Sequence, residues 1–150
     1  MAEGRKILVA ADGSKLSRKA LDYAIRDALT DNAVLYLLYV LPKDDLPKEI
    51  VKYVKDERFE GGLGKLSSRI VAEAVLKPLA EQARKAGIQS VHARVLRGDP
   101  AEEIVNFARD QQIDLLVLGS RGRSKIKSLL LGSVSNKVCP MSSCTTVTVK

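Results

Sequence analysis

Apolar positions follow two rhythms along this chain. Three runs, 7–11, 33–41 and 115–118, are unbroken Val, Ile, Leu, Ala and Tyr, the signature of strands buried on both faces of a parallel sheet. Two more segments, 92–96 and 145–149, alternate apolar and polar positions and predict strands with one side nearer solvent, as at a sheet edge. Between the first two runs, Ala20, Leu21, Ala24, Ile25, Ala28 and Leu29 recur at helical spacing while Arg18, Asp22, Arg26 and Asp27 turn outward, which predicts one amphipathic helix. Leu66, Ile70, Ala74 and Val75 open a second helical stretch that runs past Pro78 to Leu79 and Ala83 and stops near Gly87. Proline lacks a backbone donor and crowds the preceding turn, so a kink or two abutting helices are expected there. Asp99-Pro100-Ala101-Glu102 announces a third helix: a capping carboxylate, a proline in the first turn and a glutamate at capping-box spacing. Ala101, Ile104, Val105 and Ala108 form its inward stripe.

The order is thus βα, β, polar loop, α, βα, β, glycine-rich loop, short α, β. Such alternation predicts an α/β fold, a doubly wound parallel sheet with helices on both faces. With 150 residues, 45% of them hydrophobic, the chain suffices for a single domain that needs no metal or disulfide staple. Residues 42–64, with Pro42, Pro47, Gly61, Gly62 and a mixture of acids and lysines, read as a mobile insertion in that domain. The longest apolar run has nine residues, against about 20 for a membrane-crossing helix. The start of the chain also lacks the apolar stretch of a secretory signal, so no membrane and a cytoplasmic location are expected. Cys139 and Cys144 have neither Cys-x-x-Cys spacing nor a companion His and are expected as buried free thiols.

In an open α/β sheet the ligand lies beyond the carboxyl ends of the strands, where the connections diverge. Three segments should meet there: Asp12-Gly13-Ser14, Val40-Leu41 and 119–135. The last places Gly119 and Gly122 after a strand and opens a helix with Gly132, Ser133, Val134 and Ser135. Glycines let main-chain N–H groups approach an anion, and a first helical turn presents unpaired donors with partial positive charge. The implied ligand carries phosphate. The Walker pattern G-x-x-x-x-G-K-[ST] is absent, and Gly62-Leu63-Gly64 is followed by Ser67 where a dinucleotide loop needs its last glycine. P-loop NTPases and ordinary NAD binding are therefore set aside.

Gly119, Gly122, Gly132 and Ser133 fit G-x2-G-x9-G-[ST] without a gap, and in this the chain resembles ATP-binding members of the universal stress protein family. The likeness extends to the opening Lys6-Ile7-Leu8-Val9-Ala10-Ala11-Asp12-Gly13-Ser14, to Gly98-Asp99-Pro100-Ala101-Glu102-Glu103-Ile104, to Asp114-Leu115-Leu116-Val117-Leu118-Gly119-Ser120 and to Leu130-Leu131-Gly132-Ser133-Val134-Ser135. The resemblance implies a Rossmann-like five-stranded parallel sheet of order 3-2-1-4-5 and ATP as ligand, with a Mg or Mn ion accompanying the phosphates. It assigns Asp12 to the nucleoside, the main chain of Val40 to the adenine edge, Gly119 and Gly122 to ribose and phosphate, and Gly132, Ser133, Val134 and Ser135 to a phosphate cradle. It also implies a homodimer through the C-terminal strand. Ser142-Ser143-Cys144-Thr145-Thr146 departs from the proline and apolar residues that relatives commonly carry there.

The expected role is that of an ATP-binding stress-response regulator working as a nucleotide-dependent switch. At most slow hydrolysis is anticipated, since Asp12 is the one nearby carboxylate and no acidic cluster forms a metal site. The alternative is an interaction module of the same fold that binds no nucleotide. A net charge of +7 attracts polyanions, but 4% aromatic residues leave few stacking platforms, so nucleic acid is not the expected partner. Asp12 also suits a plain turn or cap. Capping alone accounts for Gly98-Asp99-Pro100, and His92 reads as a surface or packing residue. Arg121, Arg123, Lys125 and Lys127 read first as a solvated basic loop, with steering of a triphosphate into the cleft as the alternative.

Overall fold

A computed structural model of the chain describes residues 4–43, 63–121 and 132–150. Most of the expected insertion, 44–62, and Gly122 lie outside the described residues. The elements are β1 (Lys6–Ala10), α1 (Lys15–Asp31), β2 (Val34–Leu41), α2 (Leu63–Val71), a π-helical turn (Ala72–Leu76), α3 (Lys77–Lys85), β3 (Val91–Arg97), α4 (Pro100–Asp110), β4 (Leu115–Gly119), α5 (Ser133–Met141) and β5 (Thr145–Val149). The strands form one five-stranded sheet in the order β3-β2-β1-β4-β5, each neighbouring pair parallel. This is the expected Rossmann-like arrangement, with the connections reversing direction between β1 and β4.

Strand alternation splits the apolar residues into two cores. Ile7, Val9, Leu35, Leu37 and Val117 face α1 and α3, meeting Ala20, Leu21, Ala24, Leu79 and Ala83. Leu8, Leu38, Leu116 and Leu118 face α4 and α5, meeting Ala101, Ile104, Ala108 and Val138. Each fully buried Leu, Ile or Val stabilises the fold by roughly 1.5–3 kcal/mol. The three unbroken apolar runs became the three inner strands, because only those are covered on both faces. The two alternating segments became the edges β3 and β5.

Of the two outcomes expected around Pro78, abutting helices is the one found, with α2 and α3 meeting through the π turn. The backbone stays helical through Lys77 and Pro78, and the change in winding falls just before, in the π turn, where the N–H of Lys77 donates to the carbonyl of Ala72. In a regular α-turn the proline ring would collide with the carbonyl of Ala74, four residues back. The wider π turn supplies the room, and Pro78 sits harmlessly in the first turn of α3. One correction concerns the thiols. Cys139 and Cys144 are free but only half-buried, since α5 buries Ser135 and Val138 and leaves Cys139 on its flank, while Cys144 precedes an edge strand. No helix among the described residues is long and apolar enough to cross a membrane.

Candidate functional site

At the carboxyl end of β1 the chain turns sharply into α1. The carboxylate of Asp12 accepts the N–H of Ser14 at 2.8 Å, Gly13 takes φ 81°, and the Ser14 hydroxyl accepts the N–H of Ser17 at 3.2 Å to cap the helix. A positive φ costs glycine nothing and other residues about a kilocalorie or more. Ala11 N–H donates to the carbonyl of Leu38 at 2.8 Å, which ties the end of β1 to β2. Val40 lies near the end of β2, half-buried, opposite Leu96 in register and packed on the α4/α5 core.

Gly119 ends β4, and α1 explains why no side chain stands there. A Cβ at this position would lie 2.8 Å from Leu16 Cβ, 3.2 Å from the Leu16 carbonyl carbon and 3.1 Å from the Arg121 carbonyl oxygen. The first turn of α1 therefore rests directly on the end of β4. Ser120 follows, 2% exposed. Its N–H donates to the carbonyl of Val149 in β5 at 2.8 Å, and its own carbonyl accepts from the N–H of Gly132 and from the Ser135 hydroxyl, the latter at 2.8 Å. The chain thus leaves β4 and returns to α5 at one carbonyl oxygen. Sequence reasoning passed over Ser120 because it acts through main-chain groups that any residue carries.

α5 begins with Gly132 in an extended conformation and has no side-chain cap. Ser133 is exposed, Val134 half-buried and Ser135 buried, with the Ser135 hydroxyl turned inward to Ser120 and, at 3.2 Å, to the carbonyl of Gly132. The amides of Ser133, Val134 and Ser135 occupy the first turn, where no intrahelical acceptor exists, and glycine offers no oxygen in its place. No acidic residue stands in that turn either, so the positive end of the helix dipole is not offset locally. Asp12, Val40, Gly119, Gly132, Ser133, Val134 and Ser135 therefore share one end of the sheet, whereas Gly122 lies outside the described residues. Among the described residues no group of three or more His, Cys, Asp or Glu is placed to hold a metal ion.

Two sequence features belong elsewhere. Gly98, at φ 149°, donates its N–H to the carbonyl of Leu41 at 3.0 Å, and Asp99 caps α4 by accepting the N–H of Glu102 at 3.0 Å, so that segment is accounted for by the fold. His92 stacks on Tyr36 with ring centroids 5.2 Å apart, a packing role at the opposite end of the strand. Arg121 is exposed, and Arg123, Lys125 and Lys127 lie outside the described residues.

Comparison with known proteins agrees with this fold. The model of the universal stress protein family matches residues 4–150. Universal stress protein YxiE of Bacillus subtilis is 34% identical, with 97% of this chain and 98% of that protein covered. Among solved structures, universal stress protein UspA from Lactobacillus plantarum superposes with a TM-score of 0.78 at 22% identity over 100% of both chains. A universal stress protein in complex with cAMP does so with a TM-score of 0.69 at 26% identity over 99% of this chain and 98% of that one. Neighbours from Archaeoglobus fulgidus and Arabidopsis thaliana were solved with dAMP and with AMP bound. The chain belongs to the universal stress protein family.

Proposed function

We propose that this protein binds ATP at the carboxyl end of β1, β2 and β4 and works as a nucleotide-dependent switch in the cytoplasm. The observation that carries the reading is the start of α5, where, among the described residues, three first-turn amides stand behind a capping glycine with no side-chain cap and no acid in the turn to occupy them. Phosphate oxygens supply both the acceptors and the negative charge that this turn lacks. Ser133, Val134 and Ser135 would donate their amides and Ser133 its exposed hydroxyl, while the Ser135 hydroxyl holds the turn in place through Ser120. Gly119 and Gly122 would keep the ribose and phosphate path clear, and Asp12 and Val40 would meet the nucleoside. A Mg or Mn ion would arrive with the phosphates, to which it supplies charge neutralisation. Asp12, the carboxylate at this end of the sheet, is already engaged as acceptor of the Ser14 amide, and any hydrolysis would be slow.

Ser120 gives the switch a physical route. Its carbonyl holds the start of α5 and its N–H holds the end of β5, so a ligand that stiffens the α5 turn also stiffens the edge strand through which a homodimer would form. The test is calorimetric titration of the protein with ATP, ADP, AMP and cAMP, with and without Mg²⁺. A saturable ATP isotherm is expected, and a flat one at millimolar nucleotide would overturn the reading in favour of an interaction module without nucleotide.

A further inference from the structure

The two edges of the sheet, β3 and β5, are finished in different ways. In a parallel strand the backbone N–H and C=O of one residue address one neighbour, and those of the next residue address the other side. The N–H of Leu35 donates to the carbonyl of Ser90 and the N–H of Gly98 to the carbonyl of Leu41. Hence His92, Arg94 and Leu96 address β2, while Val91, Ala93, Val95 and Arg97 point out of the sheet. Two of those outward carbonyls are already occupied. Arg84, on α3, donates Nη2 to the Val91 carbonyl at 3.3 Å. Arg94, on the same side of β3 as Leu96 and hence on the face opposite α3, curls back to donate Nη1 to the Ala93 carbonyl at 3.0 Å. Two guanidinium groups thus reach consecutive outward carbonyls from opposite faces.

β5 carries no charged counterpart, only neutral hydroxyls at its start, where Thr146 Oγ1 donates to the Cys144 carbonyl at 3.2 Å. Ser120 N–H donates to the Val149 carbonyl, so Val149, Val147 and Thr145 address β4 and the backbone groups of Thr146 and Thr148 point outward. The strand reads Thr-Thr-Val-Thr-Val without a charge, and no side chain among the described residues closes those outward groups.

We infer that Arg84 and Arg94 are guards of the β3 edge, barring it from pairing with a strand of a second copy and confining strand addition to β5. An incoming strand at β3 must break both hydrogen bonds and bury two charges beside its own backbone, a cost that unpaired or half-paired ions do not recover. Joining two copies through β5 would leave a guarded β3 at each end of the continuous sheet, so assembly stops there. The inference stands on the β3 hydrogen bonds and holds whether or not the protein binds nucleotide.

Sedimentation velocity over a wide concentration range tests it, with the full-length protein compared with Arg84→Gln/Arg94→Gln and with Arg84→Lys/Arg94→Lys. The wild type should reach a limiting size. The glutamine pair should exceed that size, with larger species appearing at a concentration at least about tenfold lower than for wild type, while the lysine pair, which keeps charge and donors, should stay at the wild-type limit. In the larger species, hydrogen exchange should slow at the outward amides of Ala93 and Val95. The idea is overturned if a glutamine pair with a native circular dichroism spectrum keeps the wild-type limit, if the lysine pair associates equally, or if new protection appears only at Thr146 and Thr148. Should the glutamine pair fail to fold, Arg94→Gln alone, at an exposed position, must still shift the size distribution upward, and its failure to do so counts against the guard.

Discussion

α4 and α5 both start at the carboxyl end of the sheet, and they start in opposite ways. In α4 the Asp99 carboxylate occupies a first-turn amide and Glu102 and Glu103 offset the dipole. In α5 a glycine caps, no acid follows, and the first-turn amides keep their capacity for an anion. A helix that only has to be stable closes its own end, so an end left open beside the switch point of the sheet is where an external anion gains most. The difference comes down to Asp99 in one helix and Gly132 in the other, and exchanging those chemistries is the direct way to break it.

The largest effect should come from closing the open end. Gly132→Asp gives α5 the cap that α4 has and puts a carboxylate where phosphate is proposed to sit. ATP affinity should fall about 100-fold, about 2.7 kcal/mol, while the melting temperature stays level or rises, because Gly and Asp differ by only a few tenths of a kcal/mol as caps. Unchanged calorimetric affinity would remove α5 from the site. Next comes the strand that feeds α5. Gly119→Val drives a side chain into Leu16 and should destabilise the fold by about 1–3 kcal/mol in urea titrations, and an unchanged midpoint would mean that α1 moves away from β4 freely. Opening the closed end is a smaller change: Asp99→Ala should cost about 1 kcal/mol and create no ATP binding of its own, since α4 keeps Glu102 and Glu103. ATP binding at that end would mean that any uncapped helix here suffices.

The smallest effect is expected far from both helices. Arg5 bridges Asp27 at 2.7 Å and Asp31 at 3.3 Å. Partial burial pulls the Arg5 pKa down, but the Asp31 hydrogen bond and the charges of Asp27 and Asp31 outweigh it, and the net direction is up. A base raised in the folded state contributes fully below its unfolded value and loses that contribution only as pH climbs through the folded one, which for arginine lies far above the neutral range. Arg5→Ala should therefore cost about 0.2–1 kcal/mol, as exposed pairs do, and by the same amount at any pH between about 6 and 10. A loss that varies over that window would show that another titrating group is coupled to it.

Much of this was legible along the chain, and the boundary is physical. The α4 cap could be read because donor and acceptor are three residues apart, and the inner strands because burial on both faces demands unbroken apolar runs. Gly132 at a helix start was readable for the same local reason. The second meaning of Gly119 was not, since the Leu16 side chain that excludes a Cβ lies about a hundred positions away in the sequence. Nor was the inward turn of the Ser135 hydroxyl, which needs the position of the Ser120 carbonyl. The π turn escaped because a proline specifies a conflict with the preceding carbonyl, and several backbone windings resolve it.

The shared acceptor at Ser120 has one more consequence. Because Gly132 and Ser135 dock on the carbonyl at which the β4 exit begins, a single oxygen fixes the spacing between that exit and the first turn of α5. A substitution that tilts the Ser120 peptide plane should therefore displace the end of a strand and the start of a helix together, as one hinge leaf moves two panels.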